Sequence, residues 1–360
     1  MHQTLTKTLR FRLKDRHAET LRDRARWVNL VWNYCNDLSM KIRQREGKYP
    51  SAYDLHRYLA GSSKAGIPLH SQTIQAIADE YVTRRKQFKK HRLNWRVSNR
   101  KSPKYSLGWM PFKASAVQYR DGQVHISGVG ALSLWDSYGL KRDTCIVGGS
   151  IAEDARGRWH LNLCVKQVVA ETIDAPATAI GIDLGCGTAA ITTDPDLALD
   201  TGWYRGIEKA LATAQRAGKK KCARALHAKA ANRRKDAIAK FSRSCSERYG
   251  FIFIGNVSSQ SQIDSGRAKG ALDAGWGLLR TQLRHKCHEA GAVFAEVNEA
   301  YSTQTCSCCY RRTGPKGVAG LGIREWTCTE CGSHHDRDGN AARNILEAGH
   351  GLLAGGISGL

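Results

Sequence analysis

Cys306 and Cys309 form one C-x2-C pair and Cys328 and Cys331 a second. This is the spacing of a four-thiolate zinc ribbon. Zn2+ favours a tetrahedron of soft ligands, and two tight knuckles supply one without a large core. Four thiolates leave no open position, so this metal would be structural. Cys308 complicates the first knuckle, Cys306-Ser307-Cys308-Cys309; the register selects Cys309 and leaves Cys308 as a neighbour. The competing reading is two pairs of merely buried cysteines.

With the metal closed off, chemistry must come from carboxylates. Asp183 sits mid-strand after Ala179, Ile180 and Ile182, where an isolated charge is costly unless something binds it. Its alternative is a turn aspartate before Gly185. Asp338 precedes Asn340, Ala341 and Ala342 at the start of an expected helix, where small residues permit close packing onto a sheet. A helix cap is the alternative role for Asp338, and Asp336 is a neighbour that could be mistaken for it.

The elements that must position these groups are legible in the periodicity. Leu5 to Leu13 alternates as a strand, and Leu21, Ala25, Val28, Trp32 and Cys35 recur at helical spacing. Ile74, Ile77 and Tyr81 begin another helix, which runs into a basic stretch from Arg84 to Lys101. That stretch interleaves Phe88 and Trp95 with Arg84, Arg85, Lys86, Lys89, Lys90, Arg92 and Arg96. Such a mixture suits backbone neutralisation plus base stacking, or else a solvated basic helix with two core aromatics. Short strands follow from Tyr105 to Lys166, including Val124–Ile126 and Trp159–Val165, as a small β-barrel or sandwich with the first strand. Beyond a boundary at Ala175 and Pro176, Ala179 to Thr193 reads as strand, turn, strand. A helical stretch from Trp203 to Tyr249, a strand at Phe251–Ile254, a helix at Asp273–Ala290 and a strand at Val293–Val297 come next. The two knuckles then precede a helix from Asn340 to Ala348, and a mobile Gly-rich tail from Gly349.

Composition narrows the partners. The chain has 360 residues, 41% of them hydrophobic, with 56 Lys and Arg against 32 acids and a formal charge of +24. That surplus implies a polyanionic partner, nucleic acid first and an anionic membrane surface second. No apolar run approaches the ~20 residues of a membrane span. Met1, His2, Gln3 and Thr4 lack a secretory pattern, so a cytosolic location is expected. Thiols there stay reduced, which makes the twelve cysteines metal ligands or packing residues rather than a disulfide framework.

The element order suggests a ribonuclease H-like fold, which hydrolyses phosphodiesters with carboxylates gathered at the edge of a central sheet. Two Mg2+ ions roughly 3.5–4 Å apart serve that chemistry, and Mg2+ prefers hard oxygen ligands. Ile182-Asp183-Leu184-Gly185, Tyr301-Ser302-Thr303-Gln304-Thr305-Cys306, both knuckles, and Asp338-Gly339-Asn340-Ala341-Ala342-Arg343-Asn344-Ile345 together resemble TnpB. TnpB is the transposon-encoded, RNA-guided DNA endonuclease related to the smallest type V CRISPR effectors. The resemblance is strong from about Ala179 to Leu346 and weaker over the first 170 residues.

The resemblance implies an α+β multidomain chain. A wedge β-barrel would cover residues 1–16 and 105–170, interrupted by a helical recognition lobe at 17–104. A RuvC/ribonuclease H-like nuclease domain would span 177–305 and 336–349. A zinc-ribbon, target-nucleic-acid-binding insert would lie at 306–335 and a flexible tail at 350–360. Implied partners are a guide RNA and a double-stranded target DNA unwound into a heteroduplex, with one or two chains on one RNA and no membrane. Implied cofactors are catalytic Mg2+ and structural Zn2+, in a prokaryotic cytosol or nucleoid. Basic residues of the recognition lobe and of the Arg216–Arg243 region would hold nucleic-acid backbones, and Arg343 could face the scissile phosphate.

One departure from the family matters. Its catalytic glutamate usually ends the middle strand, here Phe251–Ile254, yet Gly255, Asn256, Val257, Ser258 and Ser259 follow. Either Glu299 on the next strand replaces it, with Glu296 as the weaker substitute, or the site is broken. The first reading makes Asp183, Glu299 and Asp338 the Mg2+-binding catalytic set. The second makes the chain a guided DNA-binding protein without cleavage. A miniature type V CRISPR effector and a strand-transferring transposase are further alternatives.

Overall fold

The alternation from Leu5 to Leu13 appears as β1 (Gln3–Leu13), with Phe11 and Leu13 fully buried. In this computed structural model, residues 3–169, 176–257, 273–317 and 319–355 are described. They divide into two compact units, His2–Val169 and Ala170–Leu360.

In the first unit β1 is central to a seven-stranded antiparallel sheet. The others are β2 (Trp109–Lys113), β3 (Val117–Arg120), β4 (Gln123–Ile126), β5 (Gly130–Trp135), β6 (Ile146–Glu153) and β7 (Trp159–Val169). The order is β2-β6-β7-β1-β5-β4-β3. β1 pairs with β7 from Gln3↔Val169 to Arg12↔His160. The edge strands β2 and β3 do not pair with each other, so hydrogen bonds do not close this sheet into a barrel. Helices α1 (Ala18–Glu46), α2 (Ala52–Tyr58) and α3 (Ser71–Gln87) share one hydrophobic core with the strands, which joins Val28, Trp32, Ile77 and Tyr81 to Met110, Ile151 and Leu161. Gly47, at φ +73°, ends α1, and Ser51 with Asp54 forms the capping box of α2. α3 stops at Gln87, so the basic stretch beyond it is not a helix. Phe88 and Trp95 are exposed rather than core residues.

The second unit is built on a five-stranded sheet ordered β10-β9-β8-β11-β12. Its strands are β8 (Ala179–Asp183), β9 (Thr188–Thr192), β10 (Leu199–Asp200), β11 (Phe251–Gly255) and β12 (Val293–Val297). β8, β11 and β12 run parallel, while β9 returns antiparallel from β8. The helical region expected between Trp203 and Tyr249 is broken into α4 (Glu208–Arg216) and α5 (Lys220–Arg248). Gly218 at φ +64° takes the left-handed turn that a helix cannot contain. α6 (Trp276–Ala290) precedes β12, and the ribbon hairpin β13 (Glu325–Thr327) and β14 (His334–Asp336) precedes α7 (Arg337–Ala354). α7 therefore starts before Asn340 and runs through residues 350–354, which the sequence reading assigned to a flexible tail; residues 356–360 lie outside the described residues. Its apolar periodicity continues through Ile345, Gly349 and Leu353, which keeps the last turns on the sheet. No helix among the described residues is long and apolar enough to cross a membrane.

Candidate functional site

Side chains alternate between the two faces of a strand, and that parity builds the site. Ile180, Ile182, Ile252 and Ile254 point into a core shared with α5 and α6 residues such as Ile238 and Leu283. Gly181 and Phe253 point the other way, towards α7. A Cβ on Gly181 would lie 2.2 Å from the Ala342 carbonyl oxygen, and one on Gly349 would lie 2.1 Å from Phe253 Cγ. Small residues thus let α7 press onto the sheet. Asp183 and position 255 share that parity, at the ends of adjacent parallel strands. Asp338 joins them from the first turn of α7.

Gly255 stands opposite Val297 in the β11–β12 register. A Cβ there would fall 2.1 Å from Glu299 Oε2 and 3.2 Å from Ile345 Cδ1. The carboxylate of Glu299 therefore occupies the space above the end of the middle strand, and glycine leaves room for it. Burial raises the Glu299 carboxyl pKa, opposed by a Val257 backbone hydrogen bond and the Arg280 charge. Glu299 Oε2 is buried without a hydrogen-bond partner, an arrangement that a hard cation would satisfy.

Glu296 has the opposite parity. It pairs with Arg280 of α6 at 3.2 Å and Arg284 at 2.6 Å, away from α7. Arg280 also donates to the Gly255 and Val257 carbonyls, both at 2.8 Å, and so clamps the end of β11.

Asp183 is only 8% exposed. Burial first, then the charges of Glu299 and Asp338, push its pKa up to about 8, against the pull of Arg337. Loss of solvation is the larger cause, and repulsion from the neighbouring acids adds to it. Asp338 is more open and pairs with Arg324 Nη1 at 3.1 Å. It does not cap α7. Asp336 does, accepting from the Gly339 amide at 2.6 Å, so the neighbour takes the structural role and Asp338 is left to the site. Asp183, Glu299 and Asp338 offer oxygen ligands alone, a donor set that fits Mg2+. They are spaced more widely than the thiolates. Among the described residues, the side-chain sets with ligand atoms within 4.8 Å of one another are Cys306–Cys309–Cys328–Cys331 and Cys306–Cys308–His335.

The thiolate centre is built by two similar turns. Tyr310 amide donates to the Cys306 carbonyl, and Gly332 amide to that of Cys328; Tyr310 and Gly332 take φ +60° and +68°. Cys306 and Cys331 Sγ are 3.6 Å apart, as are Cys309 and Cys328. The edge of a Zn–thiolate tetrahedron is about 3.8 Å, so the quartet fits Zn2+, and Cys309 rather than Cys308 completes it. Thr313 Oγ1, 3.1 Å from Cys328 Sγ, pulls that thiol down to about 6.

Several contributors were not singled out in the sequence. Asn340, fully buried, accepts from the Ser307 amide at 2.9 Å and donates to the Thr305 carbonyl at 2.7 Å. Asn344 donates to the Ser302 and Thr305 carbonyls, both at 2.7 Å. The two asparagines tie the first knuckle to the helix that carries Asp338; their i, i+4 spacing was the available signal. His335, 2% exposed, brings Nε2 to 3.0 Å from Cys306 Sγ. Arg324 had no local signal, because its partner Asp338 lies across the hairpin. Arg343 is exposed and its charge is felt by His335, which sets it on the ribbon side of α7.

Residues 276–345 match the model of the Cas12f1-like TNB domain family, the segment that carries Glu299, both knuckles and Asp338. A Streptomyces pristinaespiralis protein named as a candidate RNA-guided DNA endonuclease is 30% identical over 266 residues, covering 69% of this chain and 64% of that protein. The TnpB-like protein L79 of Acanthamoeba polyphaga mimivirus is 32% identical over 142 residues, covering 36% of this chain and 26% of its own. The chain is thus similar to Cas12f1-like and TnpB-like proteins. The chain spans less than two thirds of the length of those curated relatives. Its fold is that of a chain in a Cas12f1–sgRNA–target DNA complex, with TM-score 0.59 and 12% identity over 95% of this chain and 99% of that one.

Proposed function

We propose that this chain is an RNA-guided, Mg2+-dependent DNA endonuclease of the TnpB kind. In this reading the second unit is a RuvC-like nuclease domain with an inserted zinc ribbon, and the first holds the wedge and recognition lobe. Asp183, Glu299 and Asp338 bind Mg2+, which when bound supplies water activation and charge neutralisation for phosphodiester hydrolysis. The observation that carries the reading is the carboxylate of Glu299, lodged over Gly255 with one oxygen buried and unpartnered.

The chain's own residues have separable tasks. Gly255 leaves space for Glu299. Arg280 holds the β11 end and neutralises Glu296. Arg324 offsets the charge of Asp338, and the Asn340–Asn344 pair keeps the ribbon registered on α7. Exposed Lys219, Lys220, Lys221, Arg224, Lys229, Arg233 and Lys235 on and just before α5 suit a nucleic-acid backbone, with the steep salt dependence that follows. Base pairing with a guide RNA would read the target, in keeping with the Cas12f1 chain of similar fold, which is in a complex with sgRNA and target DNA. A prokaryotic cytosol is the matching location.

A guided binder without cleavage is the second reading, because β11 ends in glycine rather than a carboxylate. Plasmid cleavage with Mg2+ decides between them. The protein–RNA complex, expressed with its native downstream flank, meets a target library with randomised flanking bases. Cutting by wild type and by neither Asp183→Ala nor Glu299→Ala is expected. Matched binding without cutting by wild type would establish the binder, and full cutting by either variant would overturn the site.

A further inference from the structure

Phe88 and Trp95 had two possible readings in the sequence, and their placement separates them. Both are exposed, at 56% and 44%, and both line one cavity of about 680 Å3 in the first unit, together with Arg84, Lys90, Arg96 and Trp109. Trp95 is also a wall of a second hollow of about 470 Å3, which includes the exposed Tyr34 and Tyr58. The aromatic surface thus continues from one hollow to the next through Trp95. Leaving rings of this size in water is unfavourable unless something covers them.

The charges around the cavity favour an anion. Arg96 is drawn into the protein by Asn29, Asn33 and the Leu107 carbonyl. Its guanidinium carbon lies 6.0 Å from the Trp32 ring centroid and 5.6 Å from that of Trp109. Burial lowers its pKa, and among the described residues it has no carboxylate in ion-pair contact. Arg92 stands 4.7 Å over the Trp95 ring. Of the acids at the cavity, Glu80 is paired on the wall itself with Arg84 at 2.6 Å. Glu153 accepts from Tyr105 and the Gly108 amide at 2.7 and 3.0 Å, which leaves Lys90 and Arg96, among the described residues, as the lining cations outside carboxylate pairs.

We infer that this cavity receives an unstacked nucleobase of a single-stranded nucleic acid. Phe88 and Trp95 would stack on the base, and Lys90 and Arg96 would face its phosphates. The two hollows sharing Trp95 suit consecutive nucleotides. Base-paired nucleic acid cannot enter, because its bases are already stacked within the duplex. The site stands apart from the nuclease reading, since it needs neither Mg2+ nor cleavage.

The test uses the full purified chain with short oligouridylate, oligothymidylate and a duplex RNA, read by fluorescence anisotropy at fixed salt. Trp95→Ala is expected to weaken the single strands roughly tenfold and the duplex by less than about twofold, with Trp95→Phe retaining most of the affinity. Because Trp95 is exposed, an unchanged melting temperature will show that the variant is folded. Photocrosslinking of 4-thiouridylate should map to the peptides containing Phe88 or Trp95. A larger loss on oligouridylate assigns the pocket to RNA, on oligothymidylate to displaced DNA, and an equal loss on both to either strand. Unchanged single-strand binding, or equal weakening of the duplex, would overturn the inference.

Discussion

Gly255→Ala is a small change with an outcome that separates the site from the fold. The new Cβ would sit 2.1 Å from Glu299 Oε2, where ordinary contact needs about 3.3 Å, so the carboxylate must retreat by about 1.2 Å. Misplacement of about 1 Å at a reacting centre costs on the order of a hundredfold in rate. The fold has little reason to object. Gly255 does not occupy the left-handed region, the obstruction is the end of a side chain, and alanine in a strand gains ~0.5–1 kcal/mol over glycine. Cleavage of a matched plasmid is therefore expected to fall about a hundredfold, with a melting temperature equal to or above wild type. Moving the carboxylate supplies the converse. Gly255→Glu combined with Glu299→Ala returns an acid to the end of β11 and should cut faster than Glu299→Ala alone. Wild-type cutting by Gly255→Ala would refute the reasoning, because Glu299 could not then be the carboxylate that matters. Unfolding of the variant would refute it as well.

Other consequences are independent of that one. The Asp183 carboxyl, pushed from 3.8 to about 8, keeps its proton in the folded, metal-free protein over a range where the unfolded chain has lost it. The folded state then binds more protons, so this group lowers stability progressively as pH rises from about 4 to about 8. Asp183→Asn should accordingly raise the melting temperature of the metal-free protein at pH ~9 and leave it nearly unchanged at pH ~4, by calorimetry. Asn340→Ala strands the Ser307 amide and should cost about 1–3 kcal/mol, with faster zinc release to a chromogenic chelator. Asn344→Ala should do less, because Asn340 still serves the same carbonyls. Zinc content by elemental analysis should survive Cys308→Ser and fall in Cys309→Ser; the reverse would shift the knuckle by one residue.

Residue spacing alone determined a good deal about this chain. The two knuckles, the alternation of β1, the apolar run before Asp183 and the +24 charge are local or compositional signals, and they require no knowledge of what packs against what. They pointed to the thiolate quartet and to Asp183 and Asp338 as carboxylates worth watching. The break at Gly218 and the true start of α7 were less legible, since a single glycine or cap moves a helix boundary with little change in periodicity.

Only the tertiary structure decided which groups meet. Glu296 and Glu299 are near neighbours in the chain, but strand parity sends Glu296 to the arginines of α6 and leaves Glu299 over Gly255. Asp336 and Asp338 are likewise close, and helix geometry makes one a cap and leaves the other beside Arg324. Parity, register and capping depend on partners distant in sequence. Asp183 feels Glu299 and Asp338 only because a parallel sheet and a tightly packed helix bring three separate segments to one edge.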